Sequence, residues 1–95
     1  MSRKAKFRFR LYIAGVTPNS AEALINLTTL CRAHLAERHE IEVVDVVRDP
    51  QRALTDDIRM TPTLLKVSPP PARRIVGTLS QTQRVLDTLG LSISV

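Results

Sequence analysis

Met60-Thr61-Pro62-Thr63-Leu64-Leu65-Lys66-Val67-Ser68-Pro69-Pro70-Pro71-Ala72-Arg73-Arg74-Ile75-Val76-Gly77 is the stretch on which the fold turns. It holds a short apolar run between a threonine-flanked proline and a proline triplet. Proline lacks the amide hydrogen that a sheet ladder needs and fixes its own φ, so the prolines confine the first strand of this stretch to Thr63–Ser68. Arg73 to Gly77 then predicts a short edge strand. Because an X-Pro bond prefers trans by only about 0.5 to 1 kcal/mol, Pro62, Pro69, Pro70 and Pro71 are slow two-state joints around that strand. A chain built for one rigid hairpin would more naturally place Asn-Gly or Asp-Gly there.

Upstream, Phe7-Arg-Phe-Arg-Leu-Tyr-Ile-Ala14 alternates apolar and basic residues and then turns continuously apolar, as a strand does when it passes from the margin to the centre of a sheet. Thr17 is a natural helix cap and Pro18 a favoured first helical residue. Apolar residues at Ala21, Leu24, Leu27, Leu30 or Cys31, and Ala33 to Leu35 predict a helix over Pro18 to Glu37 with one buried stripe. Ile41 to Val47 is β-branched and predicts a second strand, parallel to the first through a right-handed crossover. Asp49 is expected to cap a marginal helix over Gln51 to Ile58. Downstream, Ser80 is the capping candidate for a helix carrying Val85, Leu86 and Leu89, with Gly90 as its stop. Leu91 to Val95 alternates with period two and reads better as strand than helix. Strand and helix signals therefore overlap in the C-terminal half.

Ninety-five residues make one domain with an aliphatic core. The formal charge is +5, but Arg3, Lys4, Lys6, Arg8 and Arg10 crowd the first ten residues, and without them nine cations face nine acids. Such an excess reads as a basic arm over residues 1–6 and a basic strand face, rather than a globally cationic surface. With Phe7, Phe9 and Tyr12 as the whole aromatic complement, stacking platforms for nucleic acid are lacking, which disfavours that partner. Cys31 stands alone, so an internal disulfide and a cysteine-rich zinc site are excluded; His34 and His39 have no acidic cluster to complete a metal site. No cofactor is called for. No apolar run reaches the roughly 18 residues of a membrane span, so a cytoplasmic chain without a membrane partner is expected.

The element order, strand, helix, strand, helix, Thr-Pro-Thr, strand, strand, helix, resembles the thioredoxin fold. Redox members place cysteines at the turn into the first helix, where the helix end lowers a thiol pKa. Here that turn is Gly15-Val16-Thr17-Pro18-Asn19-Ser20, without sulfur. Three scattered glycines build no phosphate loop. Asp56-Asp57 reads as solvated surface, since helix neighbours point about 100° apart. Ser20, Ser68 and Ser80 have no histidine nearby in sequence. A binding protein, not an enzyme, is the expectation.

Leu11-Tyr12-Ile13-Ala14-Gly15-Val16-Thr17-Pro18-Asn19-Ser20, Val44-Asp45-Val46, Thr61-Pro62-Thr63-Leu64, Lys66-Val67, Pro69-Pro70-Pro71, Arg73-Arg74-Ile75, Gly77 and Leu79-Ser80 together resemble the KaiB family of bacterial clock proteins. The resemblance implies an α/β, thioredoxin-like, metamorphic chain. A constant βαβ half (residues 7–50) would be joined to a switchable half (residues 51–95), which exchanges between a self-associating ground state and a thioredoxin-like arrangement. It also implies a non-enzymatic clock regulator that binds a KaiC-like hexameric ATPase, with a KaiA-like protein or a sensor histidine kinase as further partners. An isolated chain is expected as a ground-state homo-tetramer or dimer. Two packings can compete when they differ by only a few kcal/mol, which mixed propensity permits. Lys66, Arg73, Arg74 and Asp57 are the expected contacts for partner or self-assembly. Pro62, Pro69, Pro70, Pro71, Gly77, Thr88 and Gly90 are the expected switch positions. Familiar members carry lysine in place of Asp57, and Gly-Leu-Asp where this chain reads Thr88-Leu89-Gly90, so a divergent member is implied. The alternative is a redox-inactive thioredoxin-like interaction module held in one fold.

Overall fold

The structure, a computed structural model, describes residues 6–91. The arm over residues 1–6 falls outside this range except for Lys6, and the C-terminal strand expected over 91–95 falls outside it except for Leu91. The elements run β1 (Phe7–Ile13), α1 (Pro18–His34), β2 (His39–Asp45), α2 (Pro50–Thr55), β3 (Thr63–Ser68), β4 (Arg73–Val76) and α3 (Thr82–Leu89). They form one sheet in the order β2-β1-β3-β4, with β1 and β2 parallel and the other two pairings antiparallel. The proline-bounded strand therefore sits inside the sheet beside β1 rather than at its margin. The Thr61-Pro62, Ser68-Pro69 and Pro70-Pro71 bonds are cis. This is a thioredoxin-like arrangement.

Register decides which side chain goes where. Leu11 lies opposite Val43 and Leu64, and Phe9 opposite Ile41 and Lys66, so these positions share one face. Against that face α1 lays Ala23, Leu27, Leu30 and Cys31, and α3 lays Val85, Leu86 and Leu89, all buried. The stripe of α1 is thus set back from the expected one: Ala21 and Ala33 are exposed. On the opposite face Tyr12, Val44 and Ala53 form a small second cluster under α2. Hydrophobic burial at about 25 cal/mol per Å² makes the first face the main source of stability.

Local chemistry explains the boundaries. Thr17 Oγ1 accepts from Ser20 N at 3.1 Å, the expected cap of α1. The helix stops at His34 rather than Glu37 because Leu35 turns into the core and Glu37 takes a positive φ of 60°. β2 lies two residues earlier than expected. Asp45 Oδ1 accepts from Val47 N at 2.9 Å, and this side-chain turn ends the strand before Val46 and Val47. Asp49 holds the N-cap position of α2, as expected, but makes no side-chain cap bond, and Gln81 rather than Ser80 is the N-cap of α3.

α2 and α3 end in the same way. Ile58 N donates to Ala53 O at 2.8 Å with Asp57 left-handed (φ 55°), and Leu91 N donates to Leu86 O at 2.8 Å with Gly90 left-handed (φ 76°). Both are Schellman closures, which favour glycine at the left-handed position. Gly90 meets that preference and Asp57 does not. α2 accordingly stops at Thr55, short of the expected Ile58.

Candidate partner-docking site

Parallel β1 and β2 end level with one another, Ile13 beside Asp45, and antiparallel β3 begins there with Thr63 beside Tyr12. The loops over 14–17, 46–49 and 56–62 therefore gather at the carboxyl end of the parallel strands, where α/β sheets place their ligand sites. Asp45 ties two of these loops together, since its Oδ1 also accepts from Gly15 N at 3.1 Å. These backbone amides hold the Asp45 carboxyl below its ordinary pKa.

This end is apolar and open. Val16 is fully exposed, and Leu54, Val47 and Met60 are 74%, 71% and 63% exposed. A shallow cavity of about 360 Å³ between α2 and the following loop is lined by Val46, Pro50, Ala53, Leu54, Ile58 and Met60. Large side chains left in water beside such a hollow mark a binding surface more than a folding requirement.

α2 carries this surface, yet six residues are too few to be helical alone and Ala53 is its one buried residue. A polar lattice holds it down. Tyr12 Oη, in a fully buried residue, donates to the Asp56 carboxylate and lies 3.1 Å from Arg52 O. Arg10 bridges Asp56 (2.9 Å) and Glu42 (3.0 Å), and the Arg52 guanidinium grips Glu42 through both its terminal nitrogens. Burial, reinforced by Asp56, pushes the Tyr12 phenol up to about 12. Arg52 and then Arg10 draw the Glu42 carboxyl down to about 2, and the Tyr12 hydroxyl and Arg10 lower that of Asp56. From β4, Arg74 donates to Asp57 O (2.8 Å) and Asp56 O (2.6 Å), satisfying backbone carbonyls at the end of α2.

The expected contact residues divide. Arg74 is exposed but clamps the α2 end. Arg73 is exposed, with its Nη1 on Ala72 O at 3.2 Å. Asp57 is exposed and pairs with Arg59 at 3.2 Å. Lys66, expected to meet a partner, is instead 5% exposed, because β3 alternates and position 66 shares its face with Leu64. Its Nζ lies 3.5 Å from Leu89 O and 5.7 Å from the Phe7 ring centroid, and burial lowers its pKa. Pro62 is buried at the start of β3, while Pro70 and Pro71 are exposed with Pro69 half-buried. Gly77 has a φ of 118°, and Thr88 Oγ1 donates to Arg84 O. Asp56, expected in solvent, is the centre of the lattice; Arg10 and Tyr12, which share its face of β1 by period two, were the signal for it.

The turn at the head of α1 holds no thiol, and burial raises the Cys31 thiol to about 11, so Cys31 is an unreactive core residue. Among the described residues no cluster of His, Cys, Asp and Glu could hold a metal ion, and no helix is long and apolar enough to cross a membrane.

The KaiB domain family model matches residues 10–91, a span that covers both sheet faces and the whole docking end. The chain belongs to the KaiB family. It is 44% identical over 84 residues to the circadian clock protein KaiB3 of a Synechocystis strain, covering 88% of this chain and 80% of that protein. It is likewise 44% identical over 91 residues to a circadian clock oscillator protein KaiB of Prochlorococcus marinus, covering 96% and 78%. Among solved structures, the N-terminal domain of Synechococcus elongatus SasA superposes with a TM-score of 0.75 at 16% identity, covering all of this chain and 93% of that one. Mitochondrial thioredoxin 3 of Saccharomyces cerevisiae gives 0.72 at 17%, covering 93% and 81%. This KaiB-family chain thus has a thioredoxin-like α/β fold.

Proposed function

We propose that this chain is a non-enzymatic clock-type regulator that docks on a KaiC-like hexameric ATPase and modulates its ATPase and phosphorylation cycle. The observation that carries the reading is an open apolar surface, built by Val16, Val47, Leu54 and Met60, at the carboxyl end of a thioredoxin-like frame whose active-site turn has no thiol. Membership of the KaiB family supplies the kind of partner. In this reading residues 7–50 stay constant while residues 51–95 exchange between the arrangement described here and a self-associating one, so capture by the ring selects the thioredoxin-like form. Asp57 flanks the contact and Arg74 holds its frame; Arg73, level with Lys66 at the far end of β4, and Lys66 itself meet other chains only when the C-terminal half is rearranged.

A pull-down with the host's KaiC-like ATPase, with and without nucleotide, tests the docking. Retention in at least one nucleotide state is expected; loss in all of them contradicts it. Two slowly exchanging NMR peak sets for residues after Gln51, and one before, are expected from exchange. A single set throughout, with the ring still bound, favours the fixed, redox-inactive interaction module.

A further inference from the structure

β4 is the outer strand of the sheet, and among the described residues no strand pairs with its far side. Gly77 N donates to Pro62 O at 2.9 Å, which makes 62 and 77 a hydrogen-bonded pair of the β3–β4 ladder. Hydrogen-bonded and open pairs alternate along antiparallel strands. Leu64–Ile75 and Lys66–Arg73 are therefore bonded pairs, and the N–H and C=O groups of Arg74 and Val76 point away from β3. Two residues' worth of backbone donors and acceptors thus face outward in strand geometry; the edge is short and guarded by the charges of Arg73 and Arg74, which oppose indiscriminate pairing but suit an acidic strand.

A groove of about 380 Å³ follows this edge, between β4 and α3. Ile75, Val76, Leu79 and Val85 supply its apolar lining, and no carboxylate lines it. Arg84 stands on its α3 side, is exposed, and forms no ion pair among the described residues. Arg74 stands on its other side with two of its five N–H donors engaged by carbonyls. An edge strand beside a helix, with an apolar floor and cations on both rims, is suited to strand addition, in which the main chain gives affinity and alternate side chains give specificity.

We infer that the outer edge of β4 takes an extended acidic peptide segment of a partner protein as a fifth strand. Side chains of such a segment point alternately toward Arg84 and toward Arg74, so acidic residues complement both rims. A second copy of this chain fits poorly, because β4 is Arg-Arg-Ile-Val and brings no carboxylate to complement Arg74 and Arg84. Nucleic acid fits poorly as well, since no aromatic ring lines the groove to stack a base. The proposal is independent of the carboxyl-end surface, which lies on the other side of β3 and β4 from α3.

The test is an amide NMR titration of the whole chain with an eight-residue peptide that repeats Glu-Glu-Val-Val, which places glutamates on both faces of an added strand. Shifts centred on residues 74–76 and 84–88 are expected. Arg84→Glu, a change at an exposed helix position, should weaken the binding by about tenfold, equivalent to about 1.4 kcal/mol. N-methylation of every second peptide amide should abolish binding in one phase and spare it in the other, whereas Leu54→Asp at the carboxyl end should leave it unchanged. Equal binding of a lysine-valine peptide, shifts confined to other residues, or no shift at millimolar peptide would overturn the proposal. Self-association that protects the same amides and survives Arg84→Glu would overturn it too, giving the edge to a second copy.

Discussion

On the side of the sheet covered by α1 and α3, Phe9, Leu11, Leu27, Leu64 and Leu86 meet in a continuous apolar core. On the opposite side Ala53 alone of α2 is buried, and the helix is held by Tyr12, Arg10, Glu42, Arg52, Asp56 and Arg74. The first attachment depends on area removed from water and is nearly indifferent to pH and salt. The second depends on charge-assisted bonds, each worth about 1.5 to 3 kcal/mol where buried and less where solvent reaches it. A docking surface carried on such a helix can be adjusted or released without dissolving the core beneath it. The contrast teaches that the two helical layers have separable stabilities.

The largest effect expected from breaking the contrast is on the apolar side. Leu27→Ala, at a residue 1% exposed, should cost about 2 to 5 kcal/mol in chemical denaturation, insensitive to salt. Tyr12→Phe comes next, removing the hydroxyl between Asp56 and Arg52 O; about 1.5 to 3 kcal/mol is expected, read as loss of hydrogen-exchange protection in α2 ahead of α1. Acid should act on the same layer. Both Glu42 and Asp56 sit below their ordinary values, so their contribution is whole above the unfolded pKa and is lost as pH falls through the folded one. For Glu42 that window runs from 4.5 down to about 2, and α2 protection should fade there before α1 protection does. The smallest effect is a gain: Asp57→Gly relieves a side chain held at a φ of 55° and should raise stability by about 0.5 to 1 kcal/mol in the same denaturation assay.

The apolar layer was legible in the sequence and the polar one was not, for a physical reason. Period-two alternation through Phe9 and Leu11, and the prolines around Thr63–Ser68, each announce their own secondary structure locally. The lattice joins Arg10 and Tyr12 to Asp56, more than forty residues away, and long-range pairing leaves no periodic trace. Arg74 illustrates this: clustered with Arg73 it reads as a partner contact, whereas in the fold it satisfies the carbonyls of Asp56 and Asp57. Lys66 misleads in the opposite way, since charge alone places it outside and strand register places it inside. Helix ends were legible where side chain and backbone agreed, as at Thr17 and Gly90, and shifted where they did not, as at Asp57 and Ser80.

Binding of the host's KaiC-like ring, measured by sedimentation for the natural chain and for Leu54→Asp, bears most directly on the claim that the apolar surface of α2 is the docking site. Leu54 is 74% exposed, so the variant should keep its fold and denaturation midpoint. The natural chain should co-sediment with the ring, and Leu54→Asp should weaken that binding by at least about tenfold, equivalent to about 1.4 kcal/mol. Binding by the variant at undiminished affinity, or none by the natural chain in any nucleotide state, would contradict the claim.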